Sequence, residues 1–474
     1  MSVSTTRDFK ANAARELAND TLRAALTKSK GHFTEGRTTA AENLPEFEEL
    51  RDQSRDIKDH TIEHLDFYLE AYEKKVKESG GHVHWARTAE DARRITLEIC
   101  KSVDAKAVNK GKSMISEECE INEMLEANGI RAVETDLGEY IIQLRGEKPS
   151  HIIAPAVHLT KAQVEESFRA NHTHLDPDRV LEEPPTLLDE ARTILRKKYF
   201  EAEVGMTGAN LLIAETGSSI IVTNEGNGDL SQLIPKVHIV LASVEKIVPT
   251  LEDAATILRV LARSATGQEF SSYTTLSTGP KREGDPDGPE QYHVILLDNG
   301  RTDMIGTEFQ EMLRCIRCGA CMNHCPVYQS VGGHAYGWVY PGPMGSVLSP
   351  GLLGVDEAGH LPNASTFCGR CEEVCPVRIP LPKLMRNWRE QEFEKHLSPG
   401  SVRVGLGIWA FVAKRPKLYQ LATGIQMRML ARMGRARGRL SSVPLAGGWT
   451  KYRDLPAPEG RTFQSRWKSG ERPQ

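Results

Sequence analysis

Seven of the nine cysteines lie between positions 315 and 375, and their spacing constrains the fold more than any other feature of the chain. Cys315, Cys318, Cys321 and Cys325, the last followed by Pro326, form a C-x2-C-x2-C-x3-C-P run. Three thiolates so spaced can wrap one iron–sulfur cubane while the fourth points away and ligates a second cluster. A zinc ribbon needs only paired cysteines, so the third cysteine and the Cys-Pro step argue against zinc. A second group, Cys368, Cys371 and Cys375 with Pro376, aligns on its Cys-Pro step and leaves Ser365 where one more ligand should stand. The spacing therefore assigns Cys315, Cys318, Cys321 and Cys375 to cluster one, and Cys325, Cys368 and Cys371 to cluster two. Cluster two is one thiolate short. A serine oxygen is a harder and poorer iron ligand than a thiolate, so the second cluster is either a cubane with a non-cysteine fourth ligand or a three-iron cluster.

Helical signals flank the motifs at 308–314 and 381–396, which favours a helical ferredoxin architecture. The intervening residues 332–345 are too rich in Gly and Pro for a helix, and their Tyr336, Trp338 and Tyr340 are expected to cover the clusters and keep water off rather than bind substrate. Arg314, Arg317 and Arg370 either raise the cluster potentials by their charge or are ordinary solvated residues.

Ahead of the cysteines, 474 residues leave room for about three domains at roughly 150 residues each. Residues 1–80 read as charged helices, at 9–27 and 44–77, forming a lead-in arm. From His82, short β-branched runs alternate with helical patterns: HVHW, AKAV, RAVE, YIIQL, HIIAP, LLIAE, SIIVT, HIVLAS and YHVILL, with helices at 89–101, 117–128, 161–169, 186–200 and 251–264. Such alternation implies a mainly parallel sheet covered by helices. Strands buried on both faces explain why the runs are continuous. Polar loops at 110–118, 134–140, 205–210 and 223–229 are either plain turns or a ligand site at the strand ends. Gly226 and Gly228 give G-x-G, but Ser231 occupies the third position of the dinucleotide fingerprint.

Charge divides the chain. Residues 401–474 hold 15 Lys and Arg against three Asp and Glu, whereas the first 400 are acidic. Trp409, Phe411, Leu418, Leu421, Ile425, Met429 and Leu430 interleave with those bases as in an interfacial helix, so the tail either docks an acidic partner or a membrane surface, or packs back on the acidic body. No apolar stretch approaches the roughly 20 residues of a membrane span, and the N-terminus lacks the apolar segment of a secretory signal. A cytoplasmic location is expected, where disulfides are rare. The two remaining cysteines, Cys100 and Cys119, sit in amphipathic helical patterns and read as small core residues.

The segments KSMISEE, ETDLGEYIIQL, PSHIIAPAVH, CIRCGACMNHCPVY, YGWVYPGPMG and CGRCEEVCP, in this order, resemble the lactate utilization protein B family from about residue 5 to 400. The resemblance implies a sugar-phosphate isomerase-like lactate-utilization α/β domain at 81–303, after the arm at 1–80. An α-helical two-cluster ferredoxin domain follows at 304–397, and a helical basic tail at 398–474. It implies two [4Fe-4S] clusters on the seven cysteines as divided above. It also implies a cytoplasmic iron–sulfur protein that works with two other lactate utilization proteins in oxidising L-lactate to pyruvate, allowing growth on lactate. No catalytic residue carries over from it. The leading reading is an electron-transfer subunit, with its final electron acceptor unidentified and no nucleic acid among its partners. The alternatives are a catalytic subunit binding a small hydroxy acid in the α/β loops and a non-catalytic redox-sensing scaffold. Removing two electrons from lactate ordinarily needs a flavin or nicotinamide, and the missing dinucleotide fingerprint favours the first reading.

Overall fold

A computed structural model describes residues 4–443, 447–450 and 453–471; residues 1–3, 444–446, 451–452 and 472–474, which fall in the arm and the tail defined above, lie outside the described residues. The chain divides into a unit of residues 1–392 and one of 393–474.

The core of the first unit is a six-stranded, wholly parallel sheet. Its strands are β1 (His82–Ala86), β2 (Ala107–Gly111), β3 (Arg131–Glu134), β4 (Val204–Thr207), β7 (Val237–Ser243) and β10 (Gln291–Leu297), ordered β1-β10-β7-β4-β2-β3. Alternate residues of β7 explain the continuous apolar runs. Val237, Ile239 and Leu241 pack with Ile95, Ile99 and Cys100 on one face, while Val240 and Ala242 pack with Leu69, Tyr72 and Val76 on the other. Both faces are buried, as a helix-covered parallel sheet requires. Cys100 and Cys119 are buried in this core, where loss of water pushes both thiols far up, and they act as small apolar residues.

Several runs end up elsewhere than in this sheet. LLIAE and SIIVT supply β5 (Leu211–Ile213) and β6 (Ser218–Thr223), an antiparallel pair in a separate four-stranded sheet with β8 (Ile247–Val248) and β9 (Tyr273–Ser277), ordered β8-β5-β6-β9. YIIQL is helical, part of Leu137–Arg145. Asp136 caps that helix by accepting from the Gly138 and Glu139 amides, and Gly146 closes it at φ 63°, so local capping overrides β-branched propensity. HIIAP forms no strand: His151 Nδ1 accepts from the Ile153 and Ala154 amides, which folds the segment into a turn. The residues read as a GMTGAN loop begin with β4.

The first 80 residues are helical, at Phe9–Leu17, Asp20–Glu42, Phe47–Glu63 and Leu65–Glu78, but they do not form a detached arm. Leu22, Leu26, Phe47, Leu50 and Ile62 share one core with the cysteine region, and the last helix covers a sheet face. The segment 332–345, expected to be non-helical, includes a 3-10 turn at His334–Tyr336 and starts the helix Gly342–Leu353, which its early proline suits. The second unit holds the helices Gly400–Ala413 and Pro416–Gly434 and an antiparallel pair, Arg439–Leu440 with Leu455–Pro456. Among the described residues no helix is long and apolar enough to cross a membrane.

Candidate metal centre

The two cysteine motifs adopt one local backbone twice. Arg317 and Gly319 around Cys318 have φ of 61° and 74°, and Phe367 and Gly369 around Cys368 have φ of 53° and 81°. Each turn leads into a single helical turn, Ala320–Asn323 and Arg370–Glu373, that ends at its Cys-Pro step. Left-handed φ at a non-glycine is uncommon, so its repetition at Arg317 and Phe367 marks a shared ligand loop. The same N–H groups reach the sulfurs in both copies. The Ala320 amide donates to Cys318 and the Arg370 amide to Cys368, while Val327 donates to Cys325 and Val377 to Cys375. In this register Ser365 stands where Cys315 stands in the first motif; its Oγ accepts from the Phe367 amide at 3.1 Å.

Tertiary packing then exchanges partners between the motifs. Cys318 feels Cys375 most strongly among the other thiols, and Cys375 in turn feels Cys315. Cys325, Cys368 and Cys371 line one small cavity together with Ser365. The two sets touch electrostatically through Cys321 and Cys371. Burial first, then neighbouring thiols, push Cys318 and Cys371 up to about 12 and Cys321 well above its usual range. Cys368 is the exception: it is exposed, and donors from Arg370 and Thr366 hold its thiol below the usual value. Sulfur donors that converge closely enough to act on one another, set in an apolar chamber and served by amide donors, are the arrangement an iron–sulfur cluster requires. The donor set therefore fits that group.

The N-terminal helices brace these loops, a role their sequence did not signal. Arg51 donates to the Cys375 carbonyl from Nη2 at 2.8 Å and from Nε at 3.2 Å, and Arg37 donates to the Val374 carbonyl at 3.2 Å. Lys58, fully buried near Cys315, donates to the carbonyls of Glu245 and Ile247. From the α/β side, His151 donates to Asn323 Oδ1 at 2.9 Å, between Cys321 and Cys325. Arg317 pairs with Glu245 at 3.1 Å; Glu245 also pairs with Arg301, whose guanidinium grips Glu118 at 2.7 Å. This buried chain links the first cysteine loop to the sheet. Arg314 is likewise buried and paired, with Asp59 and Glu311, whereas Arg370 pairs with Glu373 at the surface and is a solvated residue. Tyr336 is buried within electrostatic reach of Cys325 and Cys321 and shields them. Tyr340 instead turns toward the α/β domain, donating to Glu118 at 2.6 Å.

The polar loops of the α/β domain meet at the carboxyl ends of β2, β4 and β7, around a cavity of about 160 Å³ whose wall includes Lys112, Asp136, Asn210, Thr223, Lys246 and Arg317. Part of the 110–118 loop is structural: Lys110 is buried between Glu117 at 2.6 Å and Glu134 at 2.7 Å.

Fold and motifs together define an iron–sulfur protein in which a parallel α/β domain carries a ferredoxin-type segment. The LUD domain family matches residues 69–297, the 4Fe-4S dicluster domain residues 311–379, and the lactate utilisation protein B C-terminal family residues 378–472. The chain belongs to the lactate utilization protein B family. Lactate utilization protein B of Bacillus licheniformis is 41% identical over 97% of this chain and 96% of its own length. The proteins of that name from Bacillus subtilis (41%, covering 96% and 95%) and Bacillus pumilus (42%, covering 97% and 97%) are similarly close. A crystal structure of a DUF162 family protein from Deinococcus radiodurans covers 49% of this chain at 16% identity and a TM-score of 0.27, too low to bear on the fold.

Proposed function

We propose that this chain is an electron-transfer subunit in the oxidation of L-lactate to pyruvate, working in the cytoplasm with two other lactate utilization proteins and an external electron acceptor. The single observation that carries the reading is the crossing of the two motifs, in which Cys375 sits with Cys318 and Cys315 while Cys325 shares a cavity with Cys368 and Cys371. On this reading Cys315, Cys318, Cys321 and Cys375 hold one [4Fe-4S] cluster. Cys325, Cys368 and Cys371 hold the second, with the Ser365 hydroxyl at its vacant corner. Such clusters supply one-electron transfer when bound. The chain's own residues do the rest. Tyr336 and the buried cysteines exclude water from the first site, and amide donors from Ala320, Val327, Arg370 and Val377 favour the thiolate form of each sulfur. Exposed Cys368 places the second site where a soluble carrier can approach.

Anaerobic iron and sulfide analysis, followed by lactate oxidation assays with and without the partner proteins, tests this. The expected result is about seven to eight irons per chain with matching sulfide. Lactate oxidation should be negligible for the chain alone, restored by the partners and abolished by Cys318→Ala. Stoichiometric zinc with little iron would overturn the metal reading. Rapid lactate-dependent reduction of an artificial acceptor by the isolated cluster-loaded chain would overturn the electron-transfer reading in favour of a catalytic subunit.

A further inference from the structure

The 160 Å³ cavity lies at a place where open α/β sheets bind ligands. From β2 the chain runs to β3 on one side and then returns to β4 on the other, so the crevice between β2 and β4 is a topological switch point. Ligands bind at the carboxyl ends of strands at such points. The backbone is drawn tight there: a Cβ on Gly208 would meet the Lys112 carbonyl at 2.7 Å.

The lining is incomplete by itself. Lys246, buried to 8% exposure, lines the cavity and has no hydrogen-bond or ion-pair partner among the described residues. Thr223 Oγ1, at 2% exposure, is likewise without a partner. A buried polar group left without a partner is costly, so Thr223 calls for one, and Lys246 offers an unpaired charge on the same wall. Three cations face the space, Lys112, Lys246 and Arg317; the carboxyls are Asp136, which pairs with Lys112 at 3.3 Å, and Glu139. Burial, Glu134 and Asp136 push the Glu139 carboxyl well above its usual range. Lys112 also pairs with Glu225 at 3.4 Å and Arg317 with Glu245 at 3.1 Å, so Lys246 is the lining cation left without a carboxylate partner among the described residues, and an anion would complete it. Apolar wall from Met114, Val222 and Leu241 leaves room for a short carbon chain. Cavities of about 150 Å³ accept a six-carbon ring, so the ligand has about six non-hydrogen atoms. Lys246 and Arg317 both act electrostatically on Cys315, which puts the cavity beside the first cysteine set.

We propose that this cavity binds a small 2-oxygenated monocarboxylate, a hydroxy or keto acid of about three carbons, with its carboxylate on Lys246 beside Arg317 and its second oxygen on Thr223. The proposal deepens the functional reading above, on which the choice among small acids rests. It makes the chain a place where substrate or product is held next to the first cysteine set.

Isothermal titration of the full-length, anaerobically cluster-loaded protein with L-lactate, pyruvate, lactamide and inorganic phosphate tests it. One acid should bind saturably at one per chain, with lactate against pyruvate telling the reduced from the oxidised ligand. The neutral amide should bind about tenfold or more weakly. Lys246→Met should lose about tenfold or more in affinity at unchanged iron content and far-UV circular dichroism. If that variant fails to fold, Thr223→Val serves, with an expected loss of several-fold. Absence of saturable binding of either acid at full iron content, phosphate bound more tightly than both, or unaltered affinity in the variants overturns the proposal. Partner-dependent cluster reduction, measured on the same preparation, reports separately on the electron-transfer reading.

Discussion

Replacing Arg301 with methionine should destabilise the α/β body more than any surface change, for reasons that can be worked out from its partners. The side chain is fully buried; Nη2 and Nη1 reach the two Glu118 oxygens at 2.7 and 2.9 Å, and Nε lies 3.2 Å from Glu245. Glu245 would keep Arg317 at 3.1 Å, so its charge stays compensated. Glu118 would keep only neutral donors, Tyr340 at 2.6 Å and Asn299 at 2.7 Å, and would become an unpaired buried carboxylate. Removing one partner of a buried pair costs about 3–5 kcal/mol, roughly a hundredfold to several thousandfold in the unfolding equilibrium. The cost comes from the stranded charge, so adding Glu118→Gln to Arg301→Met should recover about half of it or more. Anaerobic urea unfolding followed by far-UV circular dichroism measures both, with unfolding rates compared where refolding is incomplete. A loss below about 1 kcal/mol for the single variant, or a double variant no better than the single, would refute the argument that Glu118 is held ionised by Arg301.

Ser365→Cys should slow loss of the second cluster in air, because Ser365 shares a cavity with Cys325, Cys368 and Cys371; parallel decay of paramagnetic signals in variant and parent would remove Ser365 from the site. His238 is buried and pushed down to about 3, so the folded state refuses a proton that the unfolded chain binds from about pH 6.5. Its contribution is full above that value and is lost as pH falls toward 3; His238→Asn should therefore lose about 2 kcal/mol less stability than the parent between pH 7 and pH 5, read from urea midpoints. The tail helix Gly400–Ala413 buries none of its residues and leaves Ile408, Trp409 and Phe411 exposed near Arg403, Lys414 and Arg415. Binding to anionic vesicles should weaken with salt and fall several-fold with Trp409→Ser and Phe411→Ser, measured by sedimentation; salt-insensitive binding would exclude an electrostatic role for the tail.

Spacing and periodicity were enough for the parts of the molecule governed by local rules. The doubled Cys-Pro motif predicts that the fourth sulfur of each run turns toward the other, because three cysteines on a tight turn cannot all point as the fourth does, and the fold sets Cys375 near Cys318 and Cys325 near Cys371. Uninterrupted apolar runs such as HIVLAS and YHVILL marked the twin-faced strands β7 and β10, since a strand covered on both sides needs no polar face. Where local signals competed, the reading failed. In YIIQL, three β-forming residues lost to an Asp136 cap and a closing glycine, and the His151 turn in HIIAP depends on an asparagine 172 residues away.

What only the tertiary structure decided is where charges lie once they are buried. Nothing in the helical pattern around Arg37 and Arg51 marks them as braces of a cysteine loop 337 and 324 positions later, because a cation on an amphipathic helix reads as solvated until its partner carbonyl is known. The same holds for Lys246. The sequence by itself determined that a lysine stands there after a buried strand. That it faces a cavity without a partner, beside Arg317 and Cys315, follows from the parallel sheet bringing the ends of β2, β4 and β7 together, and that convergence is a property of topology and not of any local stretch of chain.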